Sequence, residues 1–441
     1  MSGIVLRGGR IIDPSQGLNE VKDLIISDGK ITDAIPDDPQ VIDVSGKIVC
    51  PGLIDIHVHL REPGQSAKET IETGSWAAAA GGFTSVVCMP NTSPVADAPN
   101  TIAWIKQRAD QKAVVNVYPT GCISKGMNGE LLAPIGSLFK AGVVAITDDG
   151  KCIQSNDLMR HALDYATMFD LPVMDHCQDA TLSRNGVVNE GYWSTVLGLR
   201  GWPNIAEEII VARNAMLAEL TGTHVHCQHL SAAGSVRILR EAKSRGIRIS
   251  GEICPHHIVL TDETLQRYDS NFKMNPPLRT QADIDALLEG VADGTIEYLA
   301  SDHAPHCDFE KEVEFDDAPF GIVGLETEVG LYIHHLVHKK VISLEDMINR
   351  MSTAPSNLLK LNKGTLKTGA DADVTVIDPE LKWTVDKNKF LSLGKNTPFH
   401  EHQLKGRPIK TIVGGRVIWD ISQGLCFKKV DGTYIKLSDC S

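Results

Sequence analysis

The sequence lacks the features that mark a secreted or membrane-bound protein. Its 10 cysteines include no Cys-x-x-Cys pair, so neither a disulfide framework nor a zinc–thiolate site is expected. No apolar run is long enough to span a bilayer, and the first residues, Met-Ser-Gly-Ile-Val-Leu-Arg-Gly-Gly-Arg, lack the apolar core of a signal peptide. We therefore expect a cytoplasmic protein that does not insert into membranes.

Basic patches and low-complexity segments are also missing. The formal net charge is -13, which argues against a nucleic acid partner because phosphate binding needs clustered positive charge. Hydrophobic residues make up 42% of the chain and charged residues 22%, as in an ordinary globular protein. A length of 441 residues suits a barrel of typical size with one smaller domain.

The two ends of the chain share short strand-like runs separated by glycine-containing turns. Such runs occur at residues 4–6, 24–26 and 47–49, and similar runs return after about residue 365. Chain termini often lie close together. Residues 1–52 and 365–441 are therefore predicted to form one composite β domain.

Between these segments, apolar strands alternate with helices, which is typical of a parallel α/β protein. The candidate strands are residues 53–60, 84–89, 114–119, 143–147, 172–176, 224–229, 247–253 and 297–301. Helices are predicted at residues 66–80, 100–109, 156–169, 206–220, 232–244 and 282–290. Eight parallel strands close a barrel, so the predicted fold class is α/β, a (β/α)8 TIM-like barrel over residues 53–364 with the small composite β domain.

The first predicted strand carries the densest chemistry of the sequence. Alternate side chains of a strand share a face, so Asp55, His57 and His59 point one way, with Arg61 just beyond the strand end. Parallel barrels gather their active sites at the C-terminal ends of the strands. Two histidines there indicate a metal site, with Asp55 as a candidate to orient one of them. The alternative is a pair of surface histidines on an edge strand.

The ends of the other predicted strands supply matching ligands. Asp148 and Asp149 follow the fourth strand, His176 and His229 end the fifth and sixth, and Asp302 follows the eighth. Alone, each histidine would be interpreted as a buried core residue and Asp302 as a helix cap. Together, four imidazoles and two carboxylates are sufficient for two divalent cations, which can activate a water molecule.

Seven short motifs extend this set of residues. They are His-Val-His-Leu-Arg-Glu-Pro-Gly (57–64), Met-Pro-Asn-Thr (89–92), Thr-Asp-Asp-Gly (147–150), Cys-Pro-His-His (254–257), Met-Asn-Pro-Pro-Leu-Arg (274–279), Ser-Asp-His-Ala-Pro-His (301–306) and Pro-Phe-Gly-Ile-Val-Gly-Leu-Glu-Thr (319–327). Together they resemble the long bacterial form of dihydroorotase, a family within the amidohydrolase superfamily. The resemblance covers essentially the whole chain. It implies a zinc-dependent enzyme of pyrimidine biosynthesis that reversibly hydrolyses (S)-dihydroorotate to N-carbamoyl-L-aspartate.

The resemblance also implies which residues hold two zinc ions per chain. The implied ligands are His57, His59, His176, His229 and Asp302, together with one bridging group. In hydantoinase-like relatives the bridge is a carboxylated lysine after the fourth strand, but this chain has no lysine at that strand end. We assign the bridge to Asp149, with Asp148 as the competing choice and Lys151 as the nearest lysine.

The implied catalytic residue is Asp302, which transfers a proton from the attacking water to the leaving nitrogen. The residues implied to bind the substrate are His59, Arg61, Asn91, Asn275, His306, Phe320 and Gly321. Arg61 suits the substrate carboxylate because a guanidinium can donate two parallel hydrogen bonds to it. The acidic segment 307–317 is a candidate lid over the substrate.

Two other functions are considered. A hydantoinase or allantoinase would use a similar site on another cyclic ureide, but the missing lysine and the Asn-Pro-Pro-Leu-Arg segment argue against it. An inactive homologue that acts as a scaffold for aspartate carbamoyltransferase would have lost ligands, and here the set is complete. The expected partner is a small-molecule substrate, and the sequence is compatible with a homodimer and with a carbamoyltransferase complex.

Overall fold

The computed structural model describes residues 3–437, and both ends of this range contribute to one seven-stranded sheet. In order across the sheet, its strands are Gly424–Leu425, Arg416–Asp420, Gln403–Val413, Val374–Thr384, Ile48–Pro51, Arg10–Asp13 and Leu18–Val21. Ile48–Pro51 pairs antiparallel with Val374–Thr384, which joins the N-terminal strands to the C-terminal ones. The division into domains at residues 1–52, 53–364 and 365–441 stays a prediction.

A four-stranded sheet shares an apolar core with the larger one. Its strands are Lys30–Thr32, Leu24–Ser27, Ile4–Arg7 and Gln40–Asp43. Leu6 and Ile26 from this sheet are buried in the same cluster as Val374 and Ile412 from the larger sheet. Phe427–Val430 and Thr433–Lys436 form a separate hairpin near the end of the described range.

A closed ring of parallel strands lies between these segments, as predicted. Its regular strands are Leu53–Val58, Phe83–Cys88, Asn116–Pro119, Val173–Asp175, Val225–Cys227, Ile249–Ile253 and Tyr298–Leu299. The fourth position is occupied by Ile146, which bridges Gly121 on one side and Val173 on the other. A parallel bridge between Val58 and His303 closes the ring. The fold is therefore an α/β barrel of eight strand positions, in which the predicted strand at residues 143–147 is reduced to single bridges.

Helices connect the barrel strands. The longer ones are Ile71–Ala80, Pro99–Lys112, Ile135–Ala141, Asn156–Thr167, Ile205–Thr221, Ala233–Ser244 and Gln281–Ala292. Shorter α-helices lie at Tyr192–Leu197, Pro255–Val259, Asp308–Lys311, Glu328–Tyr332, Leu344–Ile348 and Ala354–Leu358, and π-helical turns at Ile333–Val337 and Asn349–Thr353. Short 3-10 turns occur at Pro14–Gln16, Lys125–Met127, Asp262–Arg267, Ser270–Phe272 and Lys387–Lys389. Two short strands, Val188–Asn189 and Gly201–Trp202, form a separate parallel pair. Across residues 3–437, none of the helices combines the length and apolarity that crossing a membrane requires.

Six of these helices are predicted from sequence, but the first begins later than expected. It starts at Ile71 rather than at residue 66, because Thr70 and Thr73 form a capping box that begins the helix there. The sequence does not predict Ile135–Ala141 or any of the six shorter α-helices. These helices have four to seven residues and span fewer than two turns, so their apolar residues show little helical periodicity.

Candidate metal centre and substrate pocket

Six buried side chains meet at the C-terminal mouth of the barrel. In chain order they are His57, His59, Asp149, His176, His229 and Asp302. They come from the ends of the first, fourth, fifth, sixth and eighth strand positions, which open on the same face of a parallel barrel. The tertiary structure thus brings together all six residues that the sequence predicts as metal ligands.

Asp149 lies at the centre of this group. Its Oδ1 atom is 3.3 Å from His57 Nε2, 3.6 Å from His176 Nδ1 and 3.7 Å from His229 Nε2. Its Oδ2 atom is 3.5 Å from His59 Nε2. The ligand atoms of His57, His59 and Asp149 lie within 4.8 Å of one another, and so do those of Asp149, His176 and His229. Asp149 therefore belongs to both three-residue groups, as the predicted bridging ligand should.

Asp148, the competing choice, points away from the histidines. Its Oδ1 atom accepts hydrogen bonds from the backbone N–H groups of Ile123 (2.7 Å) and Ser124 (3.1 Å), and its Oδ2 accepts one from the Ser124 hydroxyl. Burial raises the pKa of Asp148 to about 6. Lys151 is exposed to solvent. The geometry thus favours Asp149 over both neighbours as the bridging ligand.

Asp302 faces the first of the two groups. Its Oδ1 atom is 3.1 Å from His59 Nε2 and 3.6 Å from His57 Nε2. Burial opposes ionisation of this carboxyl group, but its interactions with His57 and His59 lower its pKa overall. A buried carboxylate at this place can serve both as a ligand and as a proton acceptor.

The donor set fits a divalent metal. His57 Nε2 is buried and has no hydrogen-bond partner, although it lies between two carboxylates. A buried nitrogen without a hydrogen-bond partner destabilises the folded protein. A cation bound to its lone pair removes that cost. Imidazole nitrogens and carboxylate oxygens are typical ligands of zinc and of related divalent metals.

Three site residues have a strained backbone. The φ angles of Arg61, His229 and Asp302 are +59°, +31° and +48°, in the left-handed region that residues other than glycine seldom adopt. Each lies two or three residues beyond the end of a barrel strand. Backbone strain of this kind clusters at functional sites. There it gives a side chain a direction that an unstrained backbone would not give it.

The metal-site residues open into a cavity of 350 Å³, and all seven predicted substrate-binding residues line it. They are His59, Arg61, Asn91, Asn275, His306, Phe320 and Gly321. Arg61 donates from Nε to the Pro305 carbonyl (3.2 Å), which leaves its terminal nitrogens as donors for a carboxylate. Burial lowers the pKa of Arg61 to about 10, so the guanidinium stays charged at neutral pH.

His306 and the Phe320 segment form one wall of the cavity. His306 Nε2 lies 2.8 Å from the Phe320 carbonyl oxygen and therefore donates to it. Burial and the nearby Arg61 lower the pKa of His306 to about 2, so the ring is neutral. Gly321 has a φ angle of +120°, and a Cβ atom there would lie 2.7 Å from the Cβ atom of Ala304. A side chain at position 321 would thus push this wall out of place.

The predicted lid segment, residues 307–317, is anchored by a buried lysine. Lys311 ends the helix Asp308–Lys311 and donates from Nζ to the carbonyl groups of Pro319 (2.8 Å) and Gly321 (3.1 Å). Burial lowers the pKa of Lys311 to about 7. The segment is therefore tied to the cavity wall, while its function as a lid stays a prediction.

Glu252 is a buried residue of the site that the sequence does not reveal. Its Oε1 atom lies 2.6 Å from His57 Nδ1. The sequence predicts Asp55 as the partner of a ligating histidine, but Asp55 accepts from the backbone N–H groups of His57 (3.0 Å) and Ser301 (3.3 Å). Asp55 thus holds the main chain and not the ring. Glu252 faces the barrel interior from Ile249–Ile253, and the sequence signal for it is a charged residue within a short strand.

Comparison with known sequences identifies relatives that match 94% of the chain. Residues 46–235 match the family model described as Dihydro-orotase-like. A dihydroorotase of Pelotomaculum thermopropionicum is 53% identical over 419 residues, which are 94% of this chain and 98% of that protein. Dihydroorotases of Acetivibrio thermocellus and Citrifermentans bemidjiense are 48% and 50% identical, each over 94% of this chain and 98% and 99% of theirs.

Solved structures with the same fold are more distant in sequence. An L-hydantoinase (dihydropyrimidinase) from Arthrobacter aurescens superposes with a TM-score of 0.85 at 24% identity, over 99% of this chain and 98% of that one. A dihydropyrimidinase from Brevibacillus agri gives a TM-score of 0.84 at 24% identity, over 98% and 96% of the two chains. At this identity the likeness concerns the fold alone.

Proposed function

The chain belongs to the dihydroorotase family of cyclic amidohydrolases, and from that premise we propose that it holds two zinc ions at its barrel mouth and uses Asp302 for proton transfer. The observation that carries the proposal is the position of Asp149, which is shared by two groups of ligand atoms. In this proposal His57 and His59 bind one metal, His176 and His229 bind the other, and Asp302 completes the first group. A homodimer, a carbamoyltransferase complex and a cytoplasmic location stay predictions.

The proposed reaction is the hydrolysis of the ring amide of dihydroorotate, and its reverse. His57, His59, Asp149, His176, His229 and Asp302 would hold the metal ions, whose chemistry would be to activate a water molecule and to polarise a carbonyl group. Asp302 accepts a proton from the attacking water and delivers it to the ring nitrogen as the C–N bond breaks. One proton of the water is transferred to the ureido nitrogen, and the second is released to solvent from the new carboxylic acid. The product therefore carries a carboxylate and a protonated ureido nitrogen, and atoms and charges balance.

The remaining residues of the cavity orient the substrate. Arg61 donates to the substrate carboxylate, with Asn91 and Asn275 as further amide donors. The Oδ1 atom of Asn91 lies 2.9 Å from His59 Nδ1 and accepts a hydrogen bond from it, which holds the Asn91 side chain in place. Asn275 donates to Gln178 Oε1 at 3.2 Å. Orienting donors that are fixed before the substrate binds lose little entropy on binding.

Replacing Arg61 with lysine should raise the Michaelis constant for dihydroorotate by about 10- to 100-fold, because hydrogen bonds to a charged group contribute about 1.5–3 kcal/mol. Lysine keeps the charge but cannot donate two parallel bonds to a carboxylate. Steady-state kinetics measures the change. Arg108→Lys is the matched control, since Arg108 pairs with Glu62 outside the cavity. An Arg61→Lys enzyme with a normal Michaelis constant would refute the assignment.

Protein stripped of metal by a chelator should lose its dihydroorotase activity and regain it on addition of zinc, with the recovery levelling at two ions per chain. Magnesium should restore little, because it prefers oxygen ligands to imidazole. Activity and bound metal are measured on the same samples, with hydantoin as the comparison substrate. Recovery that levels at one ion per chain would contradict the two-metal site, and preferred turnover of hydantoin would favour the hydantoinase alternative.

A further inference from the structure

A continuous line of polar side chains runs from His57 down the interior of the barrel. His57 Nδ1 is 2.6 Å from Glu252 Oε1, and Glu252 Oε2 is 3.0 Å from His226 Nε2. His226 Nδ1 is 2.9 Å from Ser250 Oγ, which is 2.7 Å from His224 Nε2. We call these five residues the interior column. Four of them, all but the half-buried His224, are at most 1% exposed.

With neutral histidines, the donor and acceptor roles along the interior column follow a single arrangement. The Glu252 carboxylate only accepts hydrogen bonds, so both His57 Nδ1 and His226 Nε2 donate to it. A neutral His226 then has a lone pair on Nδ1, which accepts from the Ser250 hydroxyl, and the Ser250 oxygen accepts from His224 Nε2. With its hydrogen on Nδ1, His57 has its lone pair on Nε2, the buried atom that lies 3.3 Å from Asp149.

Glu252 also contacts the second half of the candidate metal site. Its Oε1 atom accepts the backbone N–H of His229 at 3.1 Å, next to the bond from the His57 ring. His229 has a φ angle of +31°, so its backbone needs support from its surroundings. One carboxylate therefore holds a ring from one ligand group and the main chain of a ligand from the other.

We propose that Glu252 is a positioning residue for metal binding, which keeps the Nδ1–H tautomer of His57 and the backbone of His229 in place and is itself oriented by His226 and Ser250. The inference rests on the proposed metal centre. Carboxylate partners of ligating histidines fix the ring and raise its basicity, and their loss typically weakens metal binding about 10- to 100-fold. Glu252 would thus act on the reaction through His57, without touching the substrate.

The decisive variant is Glu252→Gln, in which an amide group cannot accept from both histidines without one of them changing its tautomer. Zinc affinity, measured by competition with a chelator, should fall by about 10- to 100-fold. The visible absorption of the cobalt-substituted protein should change, because it reports the geometry of the ligands. Excess zinc should restore a large part of the turnover, with the Michaelis constant for dihydroorotate little changed. The control is Glu207→Gln, since the buried Glu207 accepts from the backbone of Ser231 and Ala232.

A second pair of variants tests the same inference if Glu252→Gln does not fold. In His226→Asn, the amide nitrogen lies near the position of the histidine Nδ1 atom, so the hydrogen bond to Glu252 is lost. In His226→Gln, the longer side chain reaches the position of the histidine Nε2 atom and keeps the hydrogen bond to Glu252. His226→Asn should weaken zinc binding, by less than Glu252→Gln, and His226→Gln should restore it. An unchanged zinc affinity in Glu252→Gln would overturn the inference. If Glu252→Gln does not fold, an unchanged zinc affinity in His226→Asn would overturn it instead. A wild-type protein without bound metal would overturn the proposed metal centre itself.

Discussion

Replacing Asp302 with asparagine should lower the turnover of dihydroorotate by about 10²- to 10⁴-fold, the usual contribution of a positioned general acid or base. An asparagine oxygen can still approach the metal, but the amide cannot accept and return a proton. Asp302 Oδ1 lies 3.1 Å from His59 Nε2, and the residue lines the cavity, so the carboxylate is next to the ligand group and to the space that a substrate would occupy. The turnover number and the zinc content should be measured on the same preparation.

The control for Asp302→Asn is Asp283→Asn. Asp283 is also buried, but it caps the helix Gln281–Ala292 and accepts from Ala233 N and Thr280 N, away from the cavity. This control should retain normal turnover. Near-normal turnover in Asp302→Asn would remove Asp302 from the proton-transfer role, and loss of zinc together with activity would limit Asp302 to the role of a ligand.

Removing the Asp149 carboxylate should reduce bound zinc from two ions per chain towards one and lower turnover on the order of a thousandfold, about 4 kcal/mol of transition-state stabilisation. The reason is geometric, because both oxygens of Asp149 face imidazole nitrogens. Among the described residues, Asp149 alone belongs both to the group with His57 and His59 and to the group with His176 and His229. Asp149→Ala is tested by metal analysis after gel filtration, together with steady-state kinetics.

The neighbouring residue provides the matched control. Asp148→Ala removes the same group one residue earlier, but this carboxylate accepts from Ile123 N and Ser124 N. The variant should lose about 1–3 kcal/mol of stability, because buried donors are left unpaired, and should still bind two zinc ions. If Asp148→Ala loses a metal and Asp149→Ala keeps both, the assignment of the bridge is reversed.

Much of the barrel can be predicted because its strands are short apolar runs between polar segments. The period of two along residues 53–60 places His57 and His59 on the inward face, and the parallel arrangement places His176, His229 and Asp302 at the same end. All of these residues meet in the structure. Their types and strand positions are local properties of the sequence, so they could be predicted without knowing any contact.

Two features of the site depend on contacts between distant segments. Positions 148 and 149 are both aspartate, and no sequence pattern distinguishes them. Their orientation depends on Ser124 and Ile123, which lie in a different loop and bind Asp148. Glu252 is 195 positions from His57 along the chain, and the bond between them exists only because the first and seventh strands both face the barrel interior.

The sequence by itself thus determined the fold class, the family and the set of candidate ligands, because periodicity, residue type and motif are encoded locally. The tertiary structure decided which aspartate faces the histidines, which residue holds the His57 ring, and where Arg61, His229 and Asp302 adopt a left-handed backbone. These properties depend on the direction in which a side chain leaves its strand end and on what it meets there. That direction is set by packing between segments far apart in the chain, which no local pattern specifies.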